Sequence, residues 1–365
     1  MRNQVALITV VAVMADGTQP AHRTLQDAPD PGDLKRVAEE FGLGNVRDAL
    51  FLANGRRNRS WRIDTATGVY ALRLLRDVPV EIAHRNAKVL AALRPSGLPV
   101  YPPMNIRDGG PVLQIGAHSY LVSPWANGAH VEGTDLPLGE VSDFGALVAT
   151  VHKALSEPER VSLPPADFRP RMKVTSPDKA IDKADRLLAA IASITEPSEF
   201  DKLARTLLEE RKVLIDKHRG SPPVEGDDPG PFGWTHGDLQ HRNILHSKGK
   251  VSAVLDWDRI AVRPIGEEIT RTALVQFGGE NGRLDLDRVA AFVGGYRSVL
   301  PLSRTDLADE VDRLWWKRMS DYWIFEFHYD RSDHDVDPLM APSGRLLSWW
   351  TDRREDVHQA FAAGT

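Results

Sequence analysis

Three polar side chains in the stretch Phe232 to Asp258, FGWTHGDLQHRNILHSKGKVSAVLDWD, have the types and order that phosphoryl transfer requires. That reaction asks little covalent work of a protein, which must place the acceptor and neutralise charge on the phosphates. Asp238 would accept or orient the proton of an attacking hydroxyl. Asn243 would offer a neutral oxygen to Mg²⁺, and Asp256 would supply the charged ligand that joins the ion to the phosphates of a nucleotide. The segment HGDLQHRN fits the pattern H-x-D-L-x-x-x-N, with Gly237 at its second position. The plainer reading has Asp238 capping a turn and Asp256 ending a strand; two motifs in register argue against it.

Bringing these residues together is a task for the local chain. Ile244 and Leu245, a turn at SKGK and the apolar run Val251 to Leu255 predict a β-hairpin. Asp256 then stands where the second strand ends, beside Asn243. Upstream, Leu34, Val37, Ala38 and Phe41 predict a helix beginning at Asp33 and closed by Gly42 and Gly44. Ser60 to Asp64 and Val69 to Leu75 read as strands around the turn TATG, preceded by the loop ANGRRNR; Gly55 would let backbone approach a phosphate and Arg56, Arg57 and Arg59 add charge, but the loop lacks a G-x-G-x-x-G run and by itself reads more readily as a basic turn. Arg73 sits where a strand cation would meet the α and β phosphates, or else makes a surface pair.

Glu81 to Leu93 is an amphipathic helix, two strands follow near Val112 to Ile115 and His118 to Ser123, and PWANG is the candidate hinge. Val141 to Leu155 returns to helix, and His152 reads as a buried, hydrogen-bonded structural histidine. Residues 175–218 are charged and helical, and SPPVEGDDPGP is a loop entering the catalytic segment. Further helices begin after RPIGEEITR and at Asp285. The aromatic stretch Asp306 to His328 is expected in the core, with Glu326 free to line a cleft. DRSDHDVD at 330–337 lacks the Gly and terminal Glu of a calcium loop and reads as a solvated loop, with capture of a cationic substrate as the alternative.

The 365 residues suffice for two lobes with their own cores. A composition 42% hydrophobic and 27% charged is ordinary, and a net charge of -5 without basic blocks argues against a nucleic-acid surface. There is no cysteine, so disulfides and thiolate metal sites are excluded, and the twelve histidines show no tight zinc-ligand spacing. The apolar run Val5 to Met14, followed by Ala15, resembles a signal-peptide core but has only Arg2 as its charged flank and is too short to span a membrane; a site built for ATP and Mg²⁺ favours reading it as an extra strand or a non-native extension.

With these residues in place, the chain resembles the aminoglycoside phosphotransferase superfamily, which also holds choline kinases, type II homoserine kinases and macrolide kinases. The likeness runs over roughly residues 33–325. It rests on the segment 232–268, on Gly55, Asn58, Trp61 and Ile63 in a G-x-x-N-x-x-aromatic-x-aliphatic loop, on YALR at 70–73, on the helix around Leu147 to His152 and on Phe292 to Tyr296 as F-x-x-G-Y. The resemblance implies an α+β, bilobal protein-kinase-like fold: residues 1–32 an N-terminal extension, 33–125 a small lobe with an antiparallel sheet, 126–365 a mostly helical catalytic and substrate-binding lobe. It implies ATP and Mg²⁺ as cofactors, Asp238 as the catalytic residue and Asn243 and Asp256 as metal ligands. Gly55, Asn58, Arg73, Ser123 and Trp125 would contact the nucleotide, with Ser123 to Ala126 as the adenine hinge, and Glu268 would be a structural carboxylate. Two positions depart from the family: Arg73 replaces the usual Lys, and Asn86 stands where the second helix offers Glu, with Glu81 about 140° away on an ideal helix.

These expectations converge on a cytoplasmic, ATP-dependent O-phosphotransferase acting on a small hydroxylated molecule, foremost an antibiotic. Primary metabolism, with homoserine, choline or a sugar as acceptor, is the alternative, and a non-catalytic nucleotide-binding module a further one. The substrate-binding residues, governed by the insert 156–230 and the aromatic C-terminal helices, are not specified by any motif, nor is the oligomeric state. No nucleic acid or membrane partner is expected.

Overall fold

The computed structural model describes residues 28–363 apart from 53–57, 108, 168, 171 and 224–229. The early apolar run and Gly55 therefore lie outside the described residues. The chain begins with helix α1 (Pro31–Glu40), whose first turn is capped by the Asp30 carboxylate accepting from the N–H groups of Gly32 and Asp33. Strands β1 (Val46–Leu52), β2 (Arg59–Thr65) and β3 (Val69–Leu75) follow, then helix α2 (Val80–Leu93), β4 (Leu113–Ile115) and β5 (His118–Pro124). They build one antiparallel sheet in the order β1-β2-β3-β5-β4. Helix α1 covers one face, where Val37 and Phe41 meet Trp61, Ile63, Leu72 and Val122; Ala83 of α2 belongs to a smaller cluster with Leu75, Val112 and Leu121.

The larger part is helical: α3 (Leu138–Leu155), a short α4 (Pro158–Val161), α5 (Pro177–Ala192) and α6 (Glu199–Lys217) come before the stretch 232–258. That stretch and the residues just after it supply β6 (Phe232–Thr235), β7 (Ile244–Ser247), β8 (Lys250–Val254) and β9 (Ala261–Pro264). Helices α7 (Ile265–Phe277), α8 (Leu286–Arg297), α9 (Arg304–Ser320), α10 (Trp323–Arg331), α11 (Met340–Asp352) and α12 (Arg354–Phe361) complete it. A five-stranded sheet joined to a larger helical part is the α+β arrangement expected.

Helices α3 and α8 pack with their backbones in contact. A Cβ on Gly295 would run into the Ser142 carbonyl, and one on Gly145 into that of Phe292. This close approach gives the F-x-x-G-Y element its steric reason: Phe292 and Tyr296 fill the core while Gly295 admits the neighbouring helix.

Several boundaries differ from the sequence reading. The first helix starts at Pro31 rather than Asp33, since Asp30 is its cap. Strand β1 went unpredicted because it lies at the sheet edge, with half-buried and exposed positions in place of clean alternation. The pairing β6–β9 was also unforeseen, as four-residue strands carry almost no periodicity. The aromatic stretch is two helices, broken at Asp321 and Tyr322; its aromatic residues Trp315, Trp316, Tyr322, Trp323, Phe325 and Phe327 are buried as expected, whereas Glu326 pairs with Lys183 at 2.7 Å.

Candidate active site

The site is built from a buried carboxylate outward. Glu268, in the first turn of α7, accepts from the N–H of His236 at 3.0 Å and from that of Gly237. Its Oε2 lies 2.6 Å from Nε2 of His152, whose Nδ1 meets the Tyr296 hydroxyl at 3.0 Å. Burial alone would push the Glu268 carboxyl up, but the His152 partner and backbone donors outweigh it and hold it down at about 2. Gly237 is required by geometry, since its φ is +86° and a Cβ there would lie 2.7 Å from the Arg259 carbonyl oxygen. His152 and Glu268 thus take the structural roles expected of them, and helices α3, α7 and α8 together fix the loop that carries Asp238.

The same loop is tied to the end of strand β8. Nδ1 of His236 accepts from the Asp238 N–H at 3.2 Å while its Nε2 faces the Leu255 carbonyl at 3.0 Å, which calls for a neutral ring with its proton on Nε2. Burial lowers the His236 pKa, as that tautomer demands. Asp238 itself accepts from Arg271 Nη2 at 2.7 Å on Oδ1 and from Gln240 Nε2 at 3.1 Å on Oδ2, with Arg259 Nη1 3.9 Å from Oδ1. Burial would raise this carboxyl, but Arg271 and Arg259 carry it below its ordinary value. A carboxylate so held is ionised and aimed, suited to orienting a hydroxyl through a hydrogen bond.

Asn243 and Asp256 are brought together as the hairpin predicts. Nδ2 of Asn243 donates to the Asp238 carbonyl at 2.8 Å, so its amide oxygen is the atom a cation would use. The Leu255 N–H donates to the Asn243 carbonyl at 2.8 Å, fixing Asp256 one residue further on. Asp256 has a left-handed φ of +58° and ψ of +66°, a strained conformation for a non-glycine residue and one found at functional turns. Its half-exposed carboxylate, the Asn243 oxygen and nearby Asp258 make an all-oxygen donor set, the kind that suits Mg²⁺.

Asp258 is one residue that sequence reasoning missed. It lies beneath Asp256, accepting from Asn58 Nδ2 at 2.8 Å and from Arg73 Nη1 at 3.1 Å. Burial and the neighbouring Asp256 raise its pKa. The only sequence signal was the second acid of DWD. Asn58 is therefore a bridge, its Oδ1 accepting from the Arg76 N–H at 3.1 Å, rather than an open phosphate contact. Arg73 is no outward surface pair: besides Asp258 it lies 3.7 Å from Asp256 Oδ1.

Asn86 resolves the second departure. Its Nδ2 donates to the Trp257 carbonyl at 2.8 Å, and its Oδ1 accepts from Arg85 Nε and Nη2 at 3.0 and 2.9 Å; Arg85 also reaches the Ile260 carbonyl at 2.9 Å. Helix α2 thus docks on the Asp256 to Ile260 turn by hydrogen bonds. At the hinge, Ser123 lies on β5 opposite Ala71, and the Trp125 N–H is already given to the Val69 carbonyl at 3.1 Å, so Trp125 offers a ligand its carbonyl but not its amide.

Beside Asp238, a cavity of about 210 Å³ is lined by Arg271, Glu267, Glu310, Arg313, Lys183 and Trp316 among others. No motif predicted these residues. Arg271, on α7, links the two: it lines the cavity and donates to Asp238 at 2.7 Å.

A sequence profile of the phosphotransferase enzyme family matches residues 48–302. The chain is similar to a homoserine kinase of Methylocella silvestris, 25% identical over 276 residues that make up 75% of this chain and 78% of that one. Its fold resembles that of a spectinomycin phosphotransferase solved with ADP and spectinomycin, with a TM-score of 0.58, 15% identity and coverage of 91% of this chain and 97% of that one. An aminoglycoside phosphotransferase of Alicyclobacillus acidocaldarius gives a TM-score of 0.56 at 14% identity, covering 89% and 93% of the two chains.

Proposed function

The chain belongs to the phosphotransferase enzyme family, and from that premise we propose that it transfers the γ-phosphate of ATP, bound with Mg²⁺, to a hydroxyl of a small molecule. The observation that carries this reading is the pair of 2.8 Å bonds from Asn243 Nδ2 to the Asp238 carbonyl and from the Leu255 N–H to the Asn243 carbonyl, which hold acceptor-side and metal-side residues in one frame. Asn243 and Asp256, with Asp258 behind them, would hold Mg²⁺, which neutralises phosphate charge when bound. Asp238 accepts a hydrogen bond from the acceptor hydroxyl and takes up its proton as the phosphoryl group passes in line. Arg271 keeps that carboxylate ionised and oriented until then. Arg73 faces the phosphate side from β3, and the Ser123 to Ala126 segment would border the adenine. Such chemistry belongs in the cytoplasm, where ATP is supplied.

An antibiotic is the acceptor we place first, since the cavity beside Asp238 has both acidic and basic walls and can grip a polyfunctional molecule. A second reading, an amino-alcohol metabolite such as homoserine, is favoured by the similarity to the homoserine kinase. The test is a coupled ATP-consumption screen with Mg²⁺ against aminoglycosides, macrolides, nucleoside antibiotics, homoserine and choline, with mass spectrometry of the products. A phosphorylated antibiotic supports the first reading and phosphorylated homoserine or choline the second. ATP binding without any phosphorylated product would count against both.

A further inference from the structure

Helix α10 ends at Arg331, and the left-handed φ of +52° at the next residue, Ser332, reverses the chain and returns His334 and Asp337 to the side of His328. Nδ1 of His328 lies 3.0 and 2.9 Å from the two carboxylate oxygens of Asp337. Nδ1 of His334 lies 3.0 Å from Nδ1 of His328 and 3.3 Å from Asp337 Oδ2. Among the described residues no other group of three histidine or carboxylate side chains converges in this way.

Hydrogen bonding alone serves this triangle poorly. If both Nδ1 atoms carry protons for the carboxylate, two N–H groups confront each other; if one does, the other nitrogen turns a lone pair toward the carboxylate oxygen. A single cation satisfies all three atoms. Ligand bonds of about 2.0–2.1 Å place neighbouring ligand atoms about 2.9–3.4 Å apart in octahedral to tetrahedral geometry, which is the spacing found here. We propose that His328, His334 and Asp337 bind a divalent transition-metal ion, zinc foremost, with water in the remaining positions. Two imidazoles and one carboxylate suit zinc and its neighbours, whereas Mg²⁺ and Ca²⁺ prefer oxygen.

The surroundings hold the ligands in place. The Phe200 ring stacks on His328 with centroids 3.9 Å apart and planes 12° from parallel, and the adjacent Tyr329 hydroxyl donates to Asp201 at 2.7 Å. Val336 is fully buried, and the Asp337 N–H donates to the His334 carbonyl at 3.1 Å. His334 remains 61% exposed, against 16% for His328 and 21% for Asp337, so an ion enters from its side. The bound ion fastens the turn to α10, whose Glu326 pairs at 2.7 Å with Lys183 of the cavity wall. Its role is to brace that wall. The spacing of the ligands matches no zinc motif; the reversal at Ser332 creates the site.

The experiment is calorimetric titration of the chelator-treated full chain with ZnCl₂, in wild type, His334→Ala, Asp256→Asn and the double variant, alongside thermal unfolding with and without zinc. The Asp256→Asn background removes the other candidate cation site. One zinc per chain with micromolar or tighter affinity is expected in Asp256→Asn, with at least a tenfold loss on adding His334→Ala. Zinc should raise the melting temperature of Asp256→Asn and not of the double variant; the exposed His334 side chain can be removed without unfolding the chain. Equal zinc affinity with and without His334, or no zinc binding in the Asp256→Asn protein, overturns the proposal.

Discussion

Replacing Asn86 with Ala asks whether helix α2 holds the turn that carries Asp256. The side chain is buried and joins two groups: its amide donates to the Trp257 carbonyl at 2.8 Å and its oxygen accepts two bonds from Arg85. Truncation orphans the Trp257 carbonyl, at about 1–3 kcal/mol, and removes charge-assisted bonds of about 1.5–3 kcal/mol, part of which Arg85 keeps through the Ile260 carbonyl. A net loss of roughly 3 kcal/mol displaces the docking equilibrium of the turn about a hundredfold. The expected result is a KM for Mg²⁺-ATP raised about ten- to a hundredfold, with turnover at saturating nucleotide changed only a few-fold, read by coupled assay and by direct ATP titration. Asn86→Glu should weaken binding as well, because Asp258 already pairs with Arg73 and the new carboxylate would face the Trp257 carbonyl. ATP affinity within twofold of wild type in Asn86→Ala refutes the reasoning. A lowered melting temperature with that affinity intact would leave the contact a scaffold only.

Asp238→Ala should lower kcat about 10²–10⁴-fold while ATP still binds; activity equal to wild type would remove Asp238 from the chemistry. Asp256→Asn should weaken Mg²⁺-ATP binding and turnover together, so an unaltered Mg²⁺ dependence would count against its ligand role. Glu310 is buried beside Glu267, and burial first, then that neighbour, raises its carboxyl from 4.5 to about 8. The folded state therefore holds this proton more tightly than the unfolded chain does, and stability falls as pH rises between those two values. Glu310→Gln should remove that slope and melt higher than wild type at pH near 8; parallel melting curves across the range would contradict it. Gly295→Ala should lower the melting temperature, since its Cβ would meet the Ser142 carbonyl and overpacking of this kind costs about 1–3 kcal/mol; an unchanged melting temperature would show that α3 and α8 can part freely.

The legible part of the molecule is the part whose residues answer to local rules. The hairpin Ile244 to Val254 follows from its apolar pairs and turn, and its return beside Asn243 follows from its length. The core role of Trp315, Trp316 and Phe325 follows from side-chain type alone. What stayed hidden was set by contacts between distant segments. Arg271 reads as one more arginine on a helix until the fold lays it against Asp238, and Asn58 reads as a loop amide until it meets a carboxylate two hundred residues away. The walls of the cavity come from the 172–183 segment, α7 and α9, which share no motif.

The two departures in the small lobe compensate for each other. An Arg on β3 without a Glu on α2 suggests a strand cation held by nothing, yet Arg73 is held, at 3.1 Å by Asp258 and at 3.7 Å by Asp256. Its anion stands not on the helix but in the turn after β8. Position 86 is thereby released from pairing with a charge and can hydrogen-bond the backbone of that same turn. A neutral amide is the better residue there: a carboxylate cannot donate to the Trp257 carbonyl, and a third acid beside Asp256 and Asp258 would raise the cost of keeping all of them ionised. The broader fork of Arg suits the arrangement too, since a guanidinium can address two carboxylates at once where a Lys ammonium meets them as a single point charge. Asn86 and Arg73 therefore form one linked exchange, and its success depends on Asp258, the acid that neither departure announces.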